Sequence, residues 1–144
     1  MEWLLEKQAK KHQPTYYHLL KTIPGVGRIL ALTILYEVGD IRRFESVQKF
    51  ASYSRLIKCK AESAGKTYGT QGNKIGNAHL KWAFSEAAVL YLRGNPGAQK
   101  LLQRFQKRMR KAKALSALAH KLGRAVYFML KNEKVFDEQR FLTS

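Results

Sequence analysis

Apolar residues recur through most of this chain at the spacing of α-helical turns. Residues 97–110 and 112–131 share this pattern, and no helix-breaking residue separates the two segments. Residues 28–38 are apolar almost all round, which is typical of a buried helix. After Asn77, a helix would carry apolar side chains on one face at Leu80, Ala83, Phe84, Ala87 and Tyr91. We therefore predict an all-α fold of about five to seven helices.

Breaks in this pattern mark the turns and loops. Pro14 is suited to the first turn of a short helix, and Ser46 is suited to cap a helix that continues to about Tyr53. A glycine-rich loop is predicted over 57–76, because glycine lets the backbone turn sharply or approach a ligand closely. Asn77 is predicted to cap the helix that follows this loop.

The charge balance indicates a polyanionic partner. Lysine and arginine number 27 against 10 acidic residues, which gives a formal net charge of +17. Such an excess destabilises the compact state by self-repulsion unless an anionic partner offsets it. We therefore expect a nucleic-acid-binding protein rather than a membrane-surface protein. No apolar run approaches the roughly 20 residues that a membrane span needs.

Cysteine, histidine and tryptophan have ordinary structural interpretations here. The single cysteine, Cys59, can form no internal disulfide, which favours a reducing compartment. We therefore expect a cytoplasmic protein. The histidines lie far apart without the spacing of metal ligands, so no metal site is predicted in this chain. Trp82 and Tyr91 are predicted to be core aromatic residues.

The segment TIPGVG at 22–27 carries the first candidate site. Gly25 and Gly27 would let a tight turn expose successive backbone N–H groups, and the next helix adds the positive end of its dipole. Such a pair can hold a DNA phosphate without reading the base sequence. We interpret the segment as a helix-hairpin-helix motif, and the alternative is a plain turn between two helices.

A dense run of basic residues forms the second candidate site. Six basic residues and no acidic residue stand among the ten positions from 104 to 113. Charge runs are usually just solvated helix faces, but like charges one turn apart destabilise a helix slightly. A stripe retained against that cost favours a polyanion partner. The DNA-binding candidates from this run are Arg104, Lys107, Arg108 and Lys111.

Ser63, within the glycine-rich loop, is the third candidate. Most loop serines are turn formers, and a serine hydroxyl is a poor nucleophile unless a base or a metal activates it. Gly65 and Lys66 nevertheless supply the bare backbone and positive charge that a phosphodiester needs beside an attacking hydroxyl. The residues alone leave both interpretations open.

A series of segments, taken in order, carries a family resemblance: IPGVG at 23–27, EVGD at 37–40, RFES at 43–46, FASYSRL at 50–56, ESAGK at 62–66, KIGNAHLKWAFSEAA at 74–88 and KALSALAHKLGRAVYFML at 113–130. Their order resembles the C-terminal transposase domain of the DEDD transposases, which comprise Piv-type DNA invertases and IS-one-ten-type insertion-sequence transposases. The likeness runs from about Leu20 to Leu130.

This resemblance implies a recombinase whose serine attacks DNA and becomes covalently linked to it. The family's S-x-G serine matches Ser63. Its K-x-G-N-x-x-L-R segment matches from Lys74 onward, with Lys81 in place of arginine. The residues implied to shape the phosphate site are Gly65, Lys66, Lys74, Gly76 and Asn77.

The resemblance also implies a partner domain that this chain lacks. In the family, an N-terminal RuvC-like domain binds Mg²⁺ through four acidic residues, and we expect Mg²⁺ there and no cofactor in this chain. A homo-oligomer and a possible guide RNA are implied for the full-length protein, as is a nucleoid-associated location in a bacterium or an archaeon. We divide the chain into the end of a connecting helical or coiled-coil region (1–20), the helical transposase domain (21–132) and a loose tail (133–144).

The resulting hypothesis is a DNA-binding, serine-bearing domain of a transposase, inactive in DNA cleavage without its RuvC-like half. The alternative is a non-catalytic DNA- or RNA-binding helix-hairpin-helix module, in which Ser63 is only a turn residue.

Overall fold

The computed structural model describes residues 14–57 and 76–143, and all regular structure within these ranges is helical. The described α-helices are α1 Pro14–Leu20, α2 Arg28–Val38, α3 Val47–Tyr53, α4 Ala78–Leu92, α5 Pro96–Gln106, α6 Lys111–Asn132 and α7 Glu138–Thr143. A short 3₁₀ helix, Ile41–Arg43, lies between α2 and α3. The predicted all-α class is confirmed for these residues, whereas most of the predicted glycine-rich loop and the segment before Pro14 lie outside them.

Helix α6 is the long central element, and it packs against α1, α3, α4 and α5. Gly123 lies at its middle, and a Cβ atom there would collide with the end of the Leu56 side chain. The glycine therefore permits the residues just after α3 to lie directly on α6. Leu118, Leu122 and Val126 extend the same buried face along α6.

Phe50 of α3 lies at the centre of an aromatic cluster and is fully buried. Its ring centroid is 5.1 Å from that of Phe44, 6.0 Å from that of Phe84 and 5.8 Å from that of Tyr127. The contacts with Phe44 and Phe84 are edge-to-face, a geometry that aromatic rings favour. This cluster fixes α3 and the preceding segment against α4 and α6.

The predicted helix caps are present. Ser46 Oγ accepts a hydrogen bond from the Lys49 backbone N–H at 3.2 Å, and Asn77 Oδ1 accepts one from the Leu80 N–H at 3.0 Å. Each bond satisfies a backbone donor that has no partner within its own helix. Beyond the last residue of α4, Gly94 adopts a left-handed conformation with φ of 58°, as expected for a glycine that follows a helix.

Helices α5 and α6 are separate, although no breaker stands between them in sequence. The chain leaves α5 after Gln106, and Arg110 is extended, with ψ of 159°, before α6 begins. A single continuous helix would stack the cations of this stretch one turn apart, which is unfavourable. The break lets α5 fold back against α6.

Residues 133–143 differ from the predicted loose tail. Helix α7 packs against α5, and Phe141 is buried. Glu138 accepts hydrogen bonds from the Tyr91 hydroxyl at 3.0 Å and from the Asn95 amide at 3.2 Å. Burial, followed by the bond to Glu138, raises the pKa of Tyr91. These two hydrogen bonds and the buried Phe141 ring make the segment part of the fold.

The surface carries several large apolar side chains. Tyr91 is buried as predicted, but the prediction that Trp82 is a core residue was wrong, because its side chain is 49% exposed. Helix α2 also presents Ile29 and Tyr36 to solvent, so it is buried on one side only. None of the described helices is long and apolar enough to span a membrane.

Candidate nucleic-acid interface

The turn between α1 and α2 places its two candidate glycines in different environments. Gly25 has φ of +92°, and a Cβ atom there would lie 2.8 Å from the backbone carbon of Leu90. Gly25 is therefore required for close packing of the turn on the end of α4. The order helix, tight turn, helix fits the helix-hairpin-helix interpretation, but its role in binding DNA stays a prediction.

Gly27 begins α2 and faces open space. A Cβ atom added there would meet no atom within 4 Å. Among the described residues, no side chain caps this helix terminus, and no acidic residue lies in its first turn. Gly27, Arg28 and Ile29 are all exposed at the start of α2, which is compatible with phosphate binding at this turn.

The two described ends of the glycine-rich loop lie together at the end of α3. Gly76 has φ of +105°, and its backbone packs against the carbonyl oxygen of Tyr53, which would be 2.6 Å from an added Cβ atom. The Asn77 N–H donates to that same carbonyl at 2.6 Å. The residues that follow the loop therefore contact the end of α3, the helix that precedes the loop. Ser63, Gly65, Lys66 and Lys74 lie outside the described residues.

The Asn77 side chain is occupied by contacts within the protein. Besides capping α4, its amide nitrogen donates to Glu37 Oε1 at 2.6 Å and to the Tyr53 hydroxyl at 3.3 Å. The bond from Asn77, followed by one from Arg43, lowers the pKa of Tyr53. These bonds connect the ends of α2, α3 and α4 at the base of the loop.

Arg43 completes this group of polar contacts. Its Nε donates to the Val38 carbonyl at 2.8 Å, and its Nη2 donates to the Glu37 carbonyl at 3.1 Å, which satisfies acceptors at the end of α2. Its guanidinium carbon lies 4.4 Å from the Phe44 ring centroid and 4.9 Å from the Tyr53 ring centroid. We call Glu37, Arg43, Tyr53 and Asn77 the loop-base network. Of these four residues, only Asn77 was predicted as a site residue, although all four lie in segments that carry the family resemblance.

The basic run forms an exposed turn between α5 and α6, which we call the basic turn (residues 107–113). Lys107, Arg108, Arg110 and Lys113 line an open hollow of about 520 Å³ at the start of α6. No described side chain caps α6 there, and no acidic residue lies in its first turn. The helix dipole and four cations therefore produce a positive potential at the same point.

The remaining basic candidates lie outside this hollow, and one of them contacts the protein itself. Arg104 Nη2 donates to the Leu142 carbonyl at 2.6 Å, so this guanidinium holds the end of the chain against α5. Lys81 is exposed on the first turn of α4, next to the loop-base network. Lys111 is exposed at the first position of α6.

The described candidates form separate groups rather than one pocket. Gly76 and Asn77 lie at the start of α4, and Gly25 lies against its other end, about 20 Å away along a helix that rises about 1.5 Å per residue. The basic turn lies beyond α5. Within the described ranges, no group of three or more His, Cys, Asp or Glu side chains could hold a metal ion.

Comparison with known proteins gives a consistent result. Residues 17–103 match the model of the transposase IS116/IS110/IS902 family. The chain is 23% identical over 119 residues to the insertion element IS116 uncharacterized 44.8 kDa protein of Streptomyces clavuligerus, covering 82% of this chain and 30% of that protein. It is 28% identical over 127 residues to the pilin gene-inverting protein of Moraxella bovis, covering 84% and 38% of the two chains.

A third relative is the mini-circle putative transposase for IS117 of Streptomyces coelicolor, 29% identical over 130 residues, with 85% of this chain and 30% of that protein covered. This chain thus spans about a third of the length of these relatives. No solved structure matches it. Because the family model covers more than half of the sequence, the chain belongs to the transposase family of IS116, IS110 and IS902.

Proposed function

We propose that this chain is the DNA-binding, serine-bearing part of a transposase or site-specific recombinase. The observation that carries the proposal is the match of residues 17–103 to a transposase family. The pilin gene-inverting protein of Moraxella bovis, similar over most of this chain, is named for the inversion of a gene, which is a recombination reaction. The net charge of +17 supports DNA as the partner.

In this proposal, Ser63 is the nucleophile. Its Oγ forms a bond to a DNA phosphorus atom while the bond from that phosphorus to a sugar oxygen breaks. The serine hydroxyl loses one proton, and the departing sugar oxygen gains one. The phosphodiester energy is kept in the serine–DNA link, so a later strand can reverse the reaction and rejoin the DNA. Gly65, Lys66 and Lys74 belong to the same loop in sequence and would serve the phosphate.

Metal chemistry is not assigned to the described part of this chain, because its side chains do not fit a metal site. We place Mg²⁺ in a RuvC-like domain in the remaining two thirds of the longer relatives. A homo-oligomer of the full-length protein, and a guide RNA where one is used, belong to the same proposal. A bound metal would supply charge stabilisation at phosphorus and activation of the attacking oxygen.

The described residues have two roles in this proposal. The turn at Gly27 and the cations Lys107, Arg108 and Lys111 are accessible and would contact the DNA backbone. Gly25, Gly76 and Asn77 make close contacts within the protein, so their contribution is to hold the turn and the loop in place. Backbone contacts of this kind fix the position of a protein on DNA without reading its sequence.

The test joins this chain to the upstream portion of a longer family member and supplies Mg²⁺ and DNA carrying the element ends. A denaturing gel then shows whether protein becomes covalently joined to DNA. We expect an adduct that is absent in Ser63→Ala, while binding of the same DNA is retained. Ser85→Ala is the control, because it removes an exposed serine hydroxyl from α4, outside the loop.

An adduct that survives Ser63→Ala would end the assignment of the nucleophile. Tight, salt-sensitive binding with no adduct from the wild-type protein would favour the non-catalytic DNA-binding module instead.

A further inference from the structure

A groove separates the outer side of α6 from the segment that follows it. It has a volume of about 1090 Å³ and is lined by α6 from Ala117 to Asn132 and by the chain from Lys134 to Phe141. Its centre lies well away from the basic turn, because Phe128 is 17 residues beyond Lys111 on α6, or about 25 Å along the helix. The groove is therefore a second surface, distinct from the DNA-backbone candidates described above.

Exposed apolar side chains stand in this groove. Phe128 is 44% exposed, and Val135 on the opposite wall is 61% exposed. The Tyr127 ring lies edge-on to Phe128, with 5.2 Å between the ring centroids and an interplanar angle of 84°. This contact supports one edge of the Phe128 ring and leaves much of its surface open to solvent.

Basic side chains flank this ring. Arg124 lies one turn before Phe128 on α6, and Lys134 and Arg140 lie on the facing wall, all three exposed. His120 and Lys121 also line the groove, and burial lowers the pKa of both, so this end of the wall is partly shielded from water.

The two acidic residues that line the groove accept hydrogen bonds from groups within the protein. Glu138 accepts the bonds from Tyr91 and Asn95, and Asp137 accepts a hydrogen bond from the Arg140 backbone N–H at 3.1 Å, where it caps α7. Both carboxylates are thus tied to local donors. The lining combines apolar side chains with the cations Lys121, Arg124, Lys134 and Arg140, so the groove carries a net positive charge beside its exposed aromatic ring.

We infer that this groove binds single-stranded DNA, with one base stacked on Phe128 and phosphates held by Arg124, Lys134 and Arg140. An exposed aromatic ring within a positively charged groove is the combination that binds single strands without sequence preference. Single-stranded DNA is the natural occupant, because a recombinase must separate and exchange strands. The inference rests on the proposed function in taking the ligand to be DNA whose strands are separated during the reaction.

The test uses the full 144-residue chain and a fluorescent pyrimidine DNA oligonucleotide of about ten nucleotides. Phe128→Leu keeps an apolar side chain but removes the stacking surface, and Phe128→Ala removes both. Tyr36→Ala is the matched control, because Tyr36 is an aromatic residue on α2 that is 64% exposed and does not line the groove. Fluorescence anisotropy gives the affinity, and circular dichroism checks the fold of each variant.

We expect both Phe128 variants to weaken single-strand binding by roughly five-fold or more, the lower end of the effect of one stacked base. Tyr36→Ala should change it by less than about two-fold. Arg124→Ala with Arg140→Ala should weaken binding and reduce its salt dependence, compared with the equally charged pair Lys49→Ala with Arg93→Ala outside the groove. Binding of duplex DNA at the basic turn should be retained in the Phe128 variants.

Three outcomes would overturn the inference. Phe128 variants that bind single-stranded DNA as well as Tyr36→Ala does would exclude stacking in the groove. Variants that weaken only an RNA oligonucleotide of the same sequence would assign the groove to RNA. Dissociation of a dimer by Phe128→Ala, seen by sedimentation, would make the groove a contact between copies of the chain. The serine–DNA adduct experiment is independent of all three.

Discussion

Gly25 and Gly27 are two residues apart, yet their backbones have different requirements. Gly25→Ala should destabilise the domain by more than about 1 kcal/mol, because φ of +92° is unfavourable for alanine and its Cβ atom would lie 2.8 Å from the backbone of Leu90. Gly27→Ala, with φ of −94° and open space, should cost less than about 1 kcal/mol. Urea unfolding of the two variants measures the difference, and equal losses would contradict the packing role assigned to Gly25.

Asn77 shows how one side chain holds the loop base. Asn77→Ala should lower stability by about 1–2 kcal/mol, since it removes an N-cap and two further hydrogen bonds. Asn77→Asp keeps the cap but places a second carboxylate beside that of Glu37. In the wild-type protein, Glu37 Oε1 lies 2.6 Å from the Asn77 amide nitrogen.

This second substitution gives a pH dependence with a definite sign. The like charges raise the folded-state pKa of the carboxyl pair above its unfolded value, so lowering the pH through that raised value should recover stability in Asn77→Asp. Unfolding curves measured between neutral and acid pH test this. The double variant Asn77→Asp with Glu37→Gln is the control. It should show no gain in stability at acid pH, because only one carboxyl then remains.

At the scale of elements, α7 is the clearest case of a segment that belongs to the fold. Phe141 is buried, and its ring centroid lies 5.5 Å from that of Tyr91 and 5.2 Å from that of Phe136. Phe141→Ala should therefore destabilise the domain by about 3 kcal/mol. Val135→Ala, at a side chain 61% exposed in the same segment, should change stability by less than about 0.5 kcal/mol. Thermal unfolding distinguishes this from a loose tail, for which both substitutions would be neutral.

The elements that sequence predicts well are those in which local signals agree. For α4, the cap at Asn77, the apolar periodicity and Gly94 after its end all indicate the same helix. The break between α5 and α6 has no such signal, because it depends on the packing of one helix against the other. Trp82 was misplaced because a large aromatic ring predicts burial on average, while its position on α4 points outward.

The residues of the candidate site also fall into those that the sequence predicts and those that it does not. Glycines and cations could be chosen from sequence because their chemistry is local. The loop-base network could not, because Asn77 and Glu37 are 40 residues apart and meet only when α2 and α4 pack together. The family resemblance assigned Asn77 to the phosphate site, while its described contacts lie within the protein.

At the scale of the whole molecule, a net charge of +17 raises the question of whether DNA binding depends on total charge or on its arrangement. Lys107 and Arg108 lie at the basic turn, whereas Lys49 and Arg93 are exposed elsewhere, so two double glutamine variants can have the same net charge. The Lys107–Arg108 pair should reduce the log–log salt slope of duplex binding by up to about 1.8, since each phosphate contact contributes about 0.9. The Lys49–Arg93 pair should leave the slope nearly unchanged. Equal reductions would mean that the protein attracts DNA through its overall charge and that the basic turn has no special part in it.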